Sequence, residues 1–437
     1  MSIFYIKSLY FNPKYKITYS KLKSLLMVFC LPLMSCFNNN TIEGERLNLY
    51  RLEMDTYLNN SGKSINLSPQ KSIKSLTQVD NGPTHLSVHA KFNSPIVKSW
   101  EISLMNKGSI SAPIFSNKNV YILDSRANLY SFSLNGKKEW VLDLAPILEK
   151  NQKTHHSGGI ALNQENLFVA TGFGEIFSIK LDGSINWKKR FDSPFRGAPI
   201  FSNNKIFVLN ANDLAIALNK NGETIWTLQG ATRPTLLSKG VSPASKSNKL
   251  LLPFSAGQLN AVRPNNGAQI WKVAFDQSNK GEAYSVIGDF GGSPVIKANK
   301  VFLVSSSGQL LALNLNSGRK IWSVLVGSNS TPVINGGSIF VVSTNGQLVR
   351  IDENNGEVIW SRNISGSTSS NENFFGPTLA GNFLWITGTD GYLRKFDPST
   401  GKEFSQHRIG NQILYRTYAV HDKLFIITKS GKIIAYD

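Results

Sequence analysis

The chain has 437 residues, with 47 basic against 28 acidic side chains and a net charge of +19. Its two cysteines, Cys30 and Cys36, both lie near the N-terminus, so the remainder holds no disulfide, Cys-ligated metal or thiol nucleophile. The sequence contains no G-x-S-x-G, H-E-x-x-H or P-loop, and its acidic residues are dispersed singly through turns, which argues against the common hydrolytic and nucleotide-dependent chemistries.

The first 35 residues carry Lys7, Lys14, Lys16, Lys21 and Lys23 and no acidic residue, and run into the apolar "LLMVFCLPLMSC" at Leu25–Cys36. A basic leader followed by about ten apolar residues predicts an export signal, too short to span a membrane as a helix. "LMSC" resembles the lipobox of bacterial lipoproteins, which implies lipidation of Cys36 and residues 1–35 as signal peptide. Without the five leader lysines, 42 basic and 28 acidic residues remain, or +14. The lysines are scattered through turns and read as a solvated surface, and export argues against a nucleic-acid partner.

Residues 36–94 are rich in Asn, Ser and Lys with little periodicity, and read as a polar tether. A flexible coil of that length spans roughly 40 Å, and removal of residues 45–75 is expected to cost far less stability than removal of Val97–Leu104. His85 and His89 have the i, i+4 spacing of a helical metal pair but lack an acidic or Cys partner, so no metal is expected.

From residue 95 onward one phrase recurs. Gly136/Trp140, Gly183/Trp187, Gly222/Trp226, Gly267/Trp271, Gly318/Trp322 and Gly356/Trp360 keep a four-residue step, and Gly401/Phe404 is a degenerate seventh copy. Anchors returning every 38 to 51 residues indicate a repeat architecture. Each unit opens with a small residue and Pro and continues through three strand-like runs to the Gly-turn-Trp strand; four strands per unit is one propeller blade. A second turn, before the third strand, carries Gly174, Gly257, Gly308, Gly346, Gly391 and Gly431, as a hairpin residue at positive φ requires. Ala127 and Asn212 stand in its place in two blades, and a different turn is expected at Ala127.

The chain ends in "TYAV", "KLFIIT" and "KIIAYD", three strands without a fourth. The missing strand is "VKSWEISL", Val97–Leu104, which carries the orphan Trp100. An eight-bladed, all-β propeller over residues 95–437, closed by that N-terminal strand, removes the free edges. Trp100, Trp140, Trp187, Trp226, Trp271, Trp322 and Trp360 are expected to pack between blades, where large rings contribute most buried area.

A lipobox, a polar tether and a ring of G-x-x-x-W blades together resemble the BamB family of outer-membrane protein assembly factors, PQQ-like eight-bladed propellers; "GERLNLYRLE" and "NGPTHLSVH" resemble tether motifs of one branch. The resemblance implies a non-enzymatic, cofactor-free lipoprotein on the periplasmic face of the outer membrane. It would be a single copy within a hetero-complex, holding the periplasmic domains of a BamA-like barrel-inserting subunit through loops of two adjacent blades. It places Leu236 and Lys239 of "LLSKG" and Asp289 of "GDFGGSP" at partner-contacting positions, with Gly291 where the family has a second acid. The alternatives are a PQQ-dependent dehydrogenase, against which the missing cysteine pair and short loops argue, and a glycan-binding propeller.

Overall fold

The computed structural model describes residues 63–93, 95–104, 110–149, 152, 154, 158–230, 240–255, 257–275, 289–364, 372–413 and 415–437. Among them eight antiparallel four-stranded sheets form, each an unbroken meander except the last. Blades one to seven span 114–143, 159–190, 200–229, 244–274, 295–324, 333–363 and 374–408. Blade eight joins Tyr418–Val420, Lys423–Ile427 and Lys432–Tyr436 to Lys98–Ser103 from the other end of the chain. Trp100 lies opposite Ala435 and Ile102 opposite Ile433, and Val97 and Asp437 exchange both backbone hydrogen bonds at 3.0 and 2.9 Å.

Burial follows strand position. First strands are mostly buried and meet those of neighbouring blades, whereas most fourth strands alternate exposed and more buried side chains along the rim; that of blade six is buried over its first four residues and that of blade seven is exposed throughout. The meander puts the first hairpin of each blade, and the Gly-turn before its Trp strand, on one face of the ring. The second hairpin and the links between blades lie on the opposite face, here called the loop face. Pro113, Pro199, Pro243, Pro294 and Pro332 each stand directly before a first strand, where a missing N–H costs no ladder bond.

The repeated Gly and Trp form one contact that steps around the ring. Each indole lies against the Gly-turn of the next blade: Trp100 on Gly136, Trp140 on Gly183, and so on to Trp360 on Gly401. Each indole N–H also donates to a backbone carbonyl two or three residues before that Gly, at 2.8–3.2 Å. Phe404 is the exception because blade eight has no covalent turn between its last two strands. With no Gly to cover it, the ring stays 68% exposed and packs on Phe383 and the Lys395 ammonium instead.

The turn at Ala127 differs from expectation. It is the same turn as in the other blades, with Ala127 at φ 61° and its N–H bonded to Asp124 O at 3.0 Å, as Gly174 bonds Thr171 O at 3.1 Å. The Asp124 carboxylate accepts from the N–H groups of Arg126 and Asn128, both at 2.9 Å, and so offsets the cost of left-handed backbone. In blade three the left-handed residue is Asp213, φ 57°, rather than Asn212, and Asn210 supplies the equivalent side-chain bonds.

The larger difference lies before the propeller. Residues 63–93, read as tether, form a strap across the mouth of the channel on the face opposite the loops. It bonds the first-strand segment of every blade: Ser68 reaches Asn335, Ile73 His421, Leu76 Phe115, Thr77 Leu162, Gln78 Phe201, Pro83 Ser245, Thr84 Ile296 and Ala90 Leu379, at 2.6–3.1 Å. Leu76, Ala90 and Phe92 are buried, and Ile65, Leu67, Ile73 and Leu86 pack on four different interblade clusters. The apolar side chains are distributed among clusters around the ring, so no single period runs through the sequence. Within the segment 45–75, residues 63–75 thus carry bonds to blades six and eight.

Candidate docking site on the loop face

Asp289 lies in the link between blades four and five and is 6% exposed. Leu236, Lys239 and Cys36 lie outside the described residues; the site is built here from what borders them. Gly240, the end of the link between blades three and four, packs so tightly on the preceding link that a methyl group there would stand 2.4 Å from Gly197 N. The two links are thereby fixed to one another, and Gly is required at both ends of the contact.

Beneath them a cavity of about 30 Å³ is bordered by Arg196, Asp213, Ser255 and Asp289. Ser255 donates to both Asp213 carboxylate oxygens, through its N–H at 3.1 Å and through its hydroxyl. Burial pushes the Asp213 carboxyl up from its usual range, against the opposing pull of the Ser255 bonds and the Arg196 charge. Burial likewise draws the Arg196 guanidinium down, while the charges of Asp213 and Asp289 oppose that shift. Two carboxylates and one guanidinium thus lie together under the loops, with the Ser255 hydroxyl bonded to the Asp213 carboxylate. Such a cluster fixes loop geometry and sets a local field.

Asp289 thus stands among buried charges rather than clear of the loop. Gly291 also has a physical reason: a methyl group there would lie 1.6 Å from Ser328 O, so no acidic side chain fits without moving the backbone. Arg196 and Asp213 were missed by sequence reasoning. The available signal was Asp213 occupying a turn position that Gly fills in most other blades.

The mouth of the channel closed by the strap is also polar. Asp80 forms an ion pair with Arg416 at 2.5 Å and accepts from Thr331 at 2.6 Å. His85 is fully buried between the carbonyls of Val79 and Pro243, at 2.9 and 2.8 Å, and His89 bonds Ser68 O and Asn382 N. Both imidazoles hold the strap. Among the described residues no group of three His, Cys, Asp or Glu stands together as a metal site.

The Arg350 guanidinium, 1% exposed, donates to Ser338 Oγ, to the carbonyls of Lys63 and Ser64 and to that of Ser399, at 2.9–3.1 Å. Its position opposite Trp360 is held by Ser or Ala in the other blades that carry the Trp: Ser131, Ser178, Ala217, Ala261, Ala312 and Ala435. That break in the repeat was a legible sign of a special role.

The family model described as outer membrane protein assembly factor BamB matches residues 147–362. The chain is 24% identical over 358 residues to the factor of that name from Moranella endobia, covering 80% of this chain and 91% of the relative. It is 24% identical over 332 residues to that from Yersinia pestis, covering 74% and 83%. In fold it is similar to BamB from Moraxella catarrhalis, with a TM-score of 0.68 at 16% identity, covering 78% of this chain and all of that one. A quinohemoprotein alcohol dehydrogenase from Comamonas testosteroni matches with a TM-score of 0.66 at 11% identity, covering 83% and 80%. The two structural likenesses speak to fold alone.

Proposed function

We propose that this chain, a member of the BamB family of outer-membrane protein assembly factors, is a non-enzymatic scaffold of the barrel-assembly machinery. It holds the periplasmic domains of a BamA-like subunit on its loop face and is tethered to the outer membrane by a lipid on Cys36. The observation that carries the reading is sequence kinship extending over 80% of this chain and 91% of a named assembly factor. The geometry is consistent with it. The strap occupies the opposite mouth of the channel, and the links bordering Arg196, Gly240 and Asp289 are fixed to one another from below.

The test is extraction of tagged protein from membranes in mild detergent, with the co-purified proteins identified. Recovery of the barrel-inserting subunit supports the reading; its absence beside a bound quinone or glycan favours the dehydrogenase-like or glycan-binding alternative. Replacing Leu236 and Lys239 together by Ala should then weaken capture at least tenfold, about 1.4 kcal/mol, with an unchanged melting curve. Cys36→Ser protein should lose membrane attachment or stay unprocessed.

A further inference from the structure

The link between blades one and two carries the most exposed large apolar side chains among the described residues. Ile147 is 84% and Leu148 94% exposed, on a single turn of 3-10 helix, Ile147–Glu149. The base of this knob is braced. Leu144 and Ala145 are buried, Leu144 N bonds Ala127 O at 3.0 Å, and Ala145 N bonds the Asp143 carboxylate at 3.0 Å. Glu149 N closes the turn on Pro146 O at 2.8 Å, and its carboxylate pairs with Arg190 at 2.9 Å. The backbone is therefore held while two large apolar groups stand in water, an arrangement that favours burial against something else.

The surroundings identify what covers them. Arg190 is flanked by Glu149 and Glu175, and Lys188 lies 3.9 Å from Glu175, so these two cations of blade two have anionic partners. Paired charges beside an apolar knob match the polar rim around the apolar centre of a protein contact. Arg190 also ends the outer strand of blade two and leads, six residues on, into Arg196 and Gly197, which border the candidate docking site. The knob and that site thus belong to successive links on one face.

We propose that Ile147 and Leu148 form a second docking point on the loop face, inserting into an apolar pocket on the periplasmic domains of the same barrel-inserting subunit. This rests on the function proposed above. A knob of two side chains on a braced turn loses little freedom on binding, and anchors of that kind carry a large share of interface affinity.

The test compares the parent with Ile147→Ser/Leu148→Ser protein for affinity to the purified periplasmic domains of the barrel-inserting subunit of the same organism. The melting curves of the two should match, because both side chains are solvent-facing. At least a tenfold loss of affinity is expected. Equal affinity overturns the docking point and leaves the proposed function standing; a parent that does not bind the domains overturns both. A photo-reactive residue in place of Leu148, irradiated in intact membranes, should give a product with that subunit. A product with lipid only, with a second copy of this chain or with another protein overturns the assignment, as does no product.

Discussion

Gly356 lies flat against the indole of Trp322: a methyl group at position 356 would stand 2.7 Å from Cε3 of the ring. The same residue has φ 78°, so one position meets two demands, left-handed backbone and a bare α-carbon. Repeated from Trp100 to Trp360, this contact explains why Gly and Trp recur together. The Gly of one blade is the floor for the Trp of the blade before it, and the pair is selected jointly although its members lie in different sheets.

Gly356→Ala should therefore destabilise the propeller by about 1–3 kcal/mol from overpacking, beyond the backbone strain at positive φ. Gly410→Ala is the control. Gly410 has φ 86° but nothing within 4 Å of an added methyl group, so it bears the strain without the clash. Chemical denaturation of both variants measures the difference; equal losses would mean that the indole contact adds nothing.

Arg350→Met should cost on the order of 3–5 kcal/mol, the scale of a broken buried charge network. The substitution leaves the carbonyls of Lys63, Ser64 and Ser399 without their donor and removes one cation from the neighbourhood of Asp352 and Asp397. The loss should be concentrated in the strap. Amide exchange over residues 63–68 is expected to accelerate more than exchange in the strands of blade six, and uniform acceleration would place the role of Arg350 in the blade instead.

The ring was legible in the sequence because blade-to-blade contact is written into a short local phrase. Gly and Trp four residues apart report one turn and one strand, and the orphan Trp100 beside a three-stranded tail reports the closure. The strap was hidden for the converse reason. Leu76, Leu86 and Phe92 each enter a different interblade cluster, so burial leaves neither a helical nor a strand period. Ala127 and Asp213 were misread because their left-handed turns are supported by Asp124 and Asn210, three residues upstream, rather than by glycine. At the candidate site Asp289 came from family resemblance, whereas Arg196 joins it only in three dimensions, from a link two blades away.

The end of the strap should respond to acid through Asp352. Burial pushes this carboxyl upward, but its bonds with Lys63 and with the N–H groups of Asn354 and Asn355 outweigh that and hold it below the usual range. The Asn354 N–H reaches it at 2.7 Å, and Lys63 pairs with its other oxygen. A depressed folded value means that the charged form is the one that stabilises. Its contribution is fully present above the unfolded value, about 3.9, and is lost as pH falls through the folded one. Asp397 beside Arg350 is also held low, because its bonds with Ser399 and Thr400 outweigh the upward push of burial, and should act in the same direction. The Lys63 side chain is half exposed, so high salt should weaken the pair even at neutral pH. Because Cys30 and Cys36 are the only cysteines, a single label on Gln70→Cys in a Cys30→Ser/Cys36→Ser background reports strap mobility. Its fluorescence anisotropy should fall as pH drops below about 4. In Asp352→Asn protein it should start lower at neutral pH and change little with acid. A parent and variant with the same acid profile would remove Asp352 as the latch and leave Arg350 as the strap's main anchor at blade six.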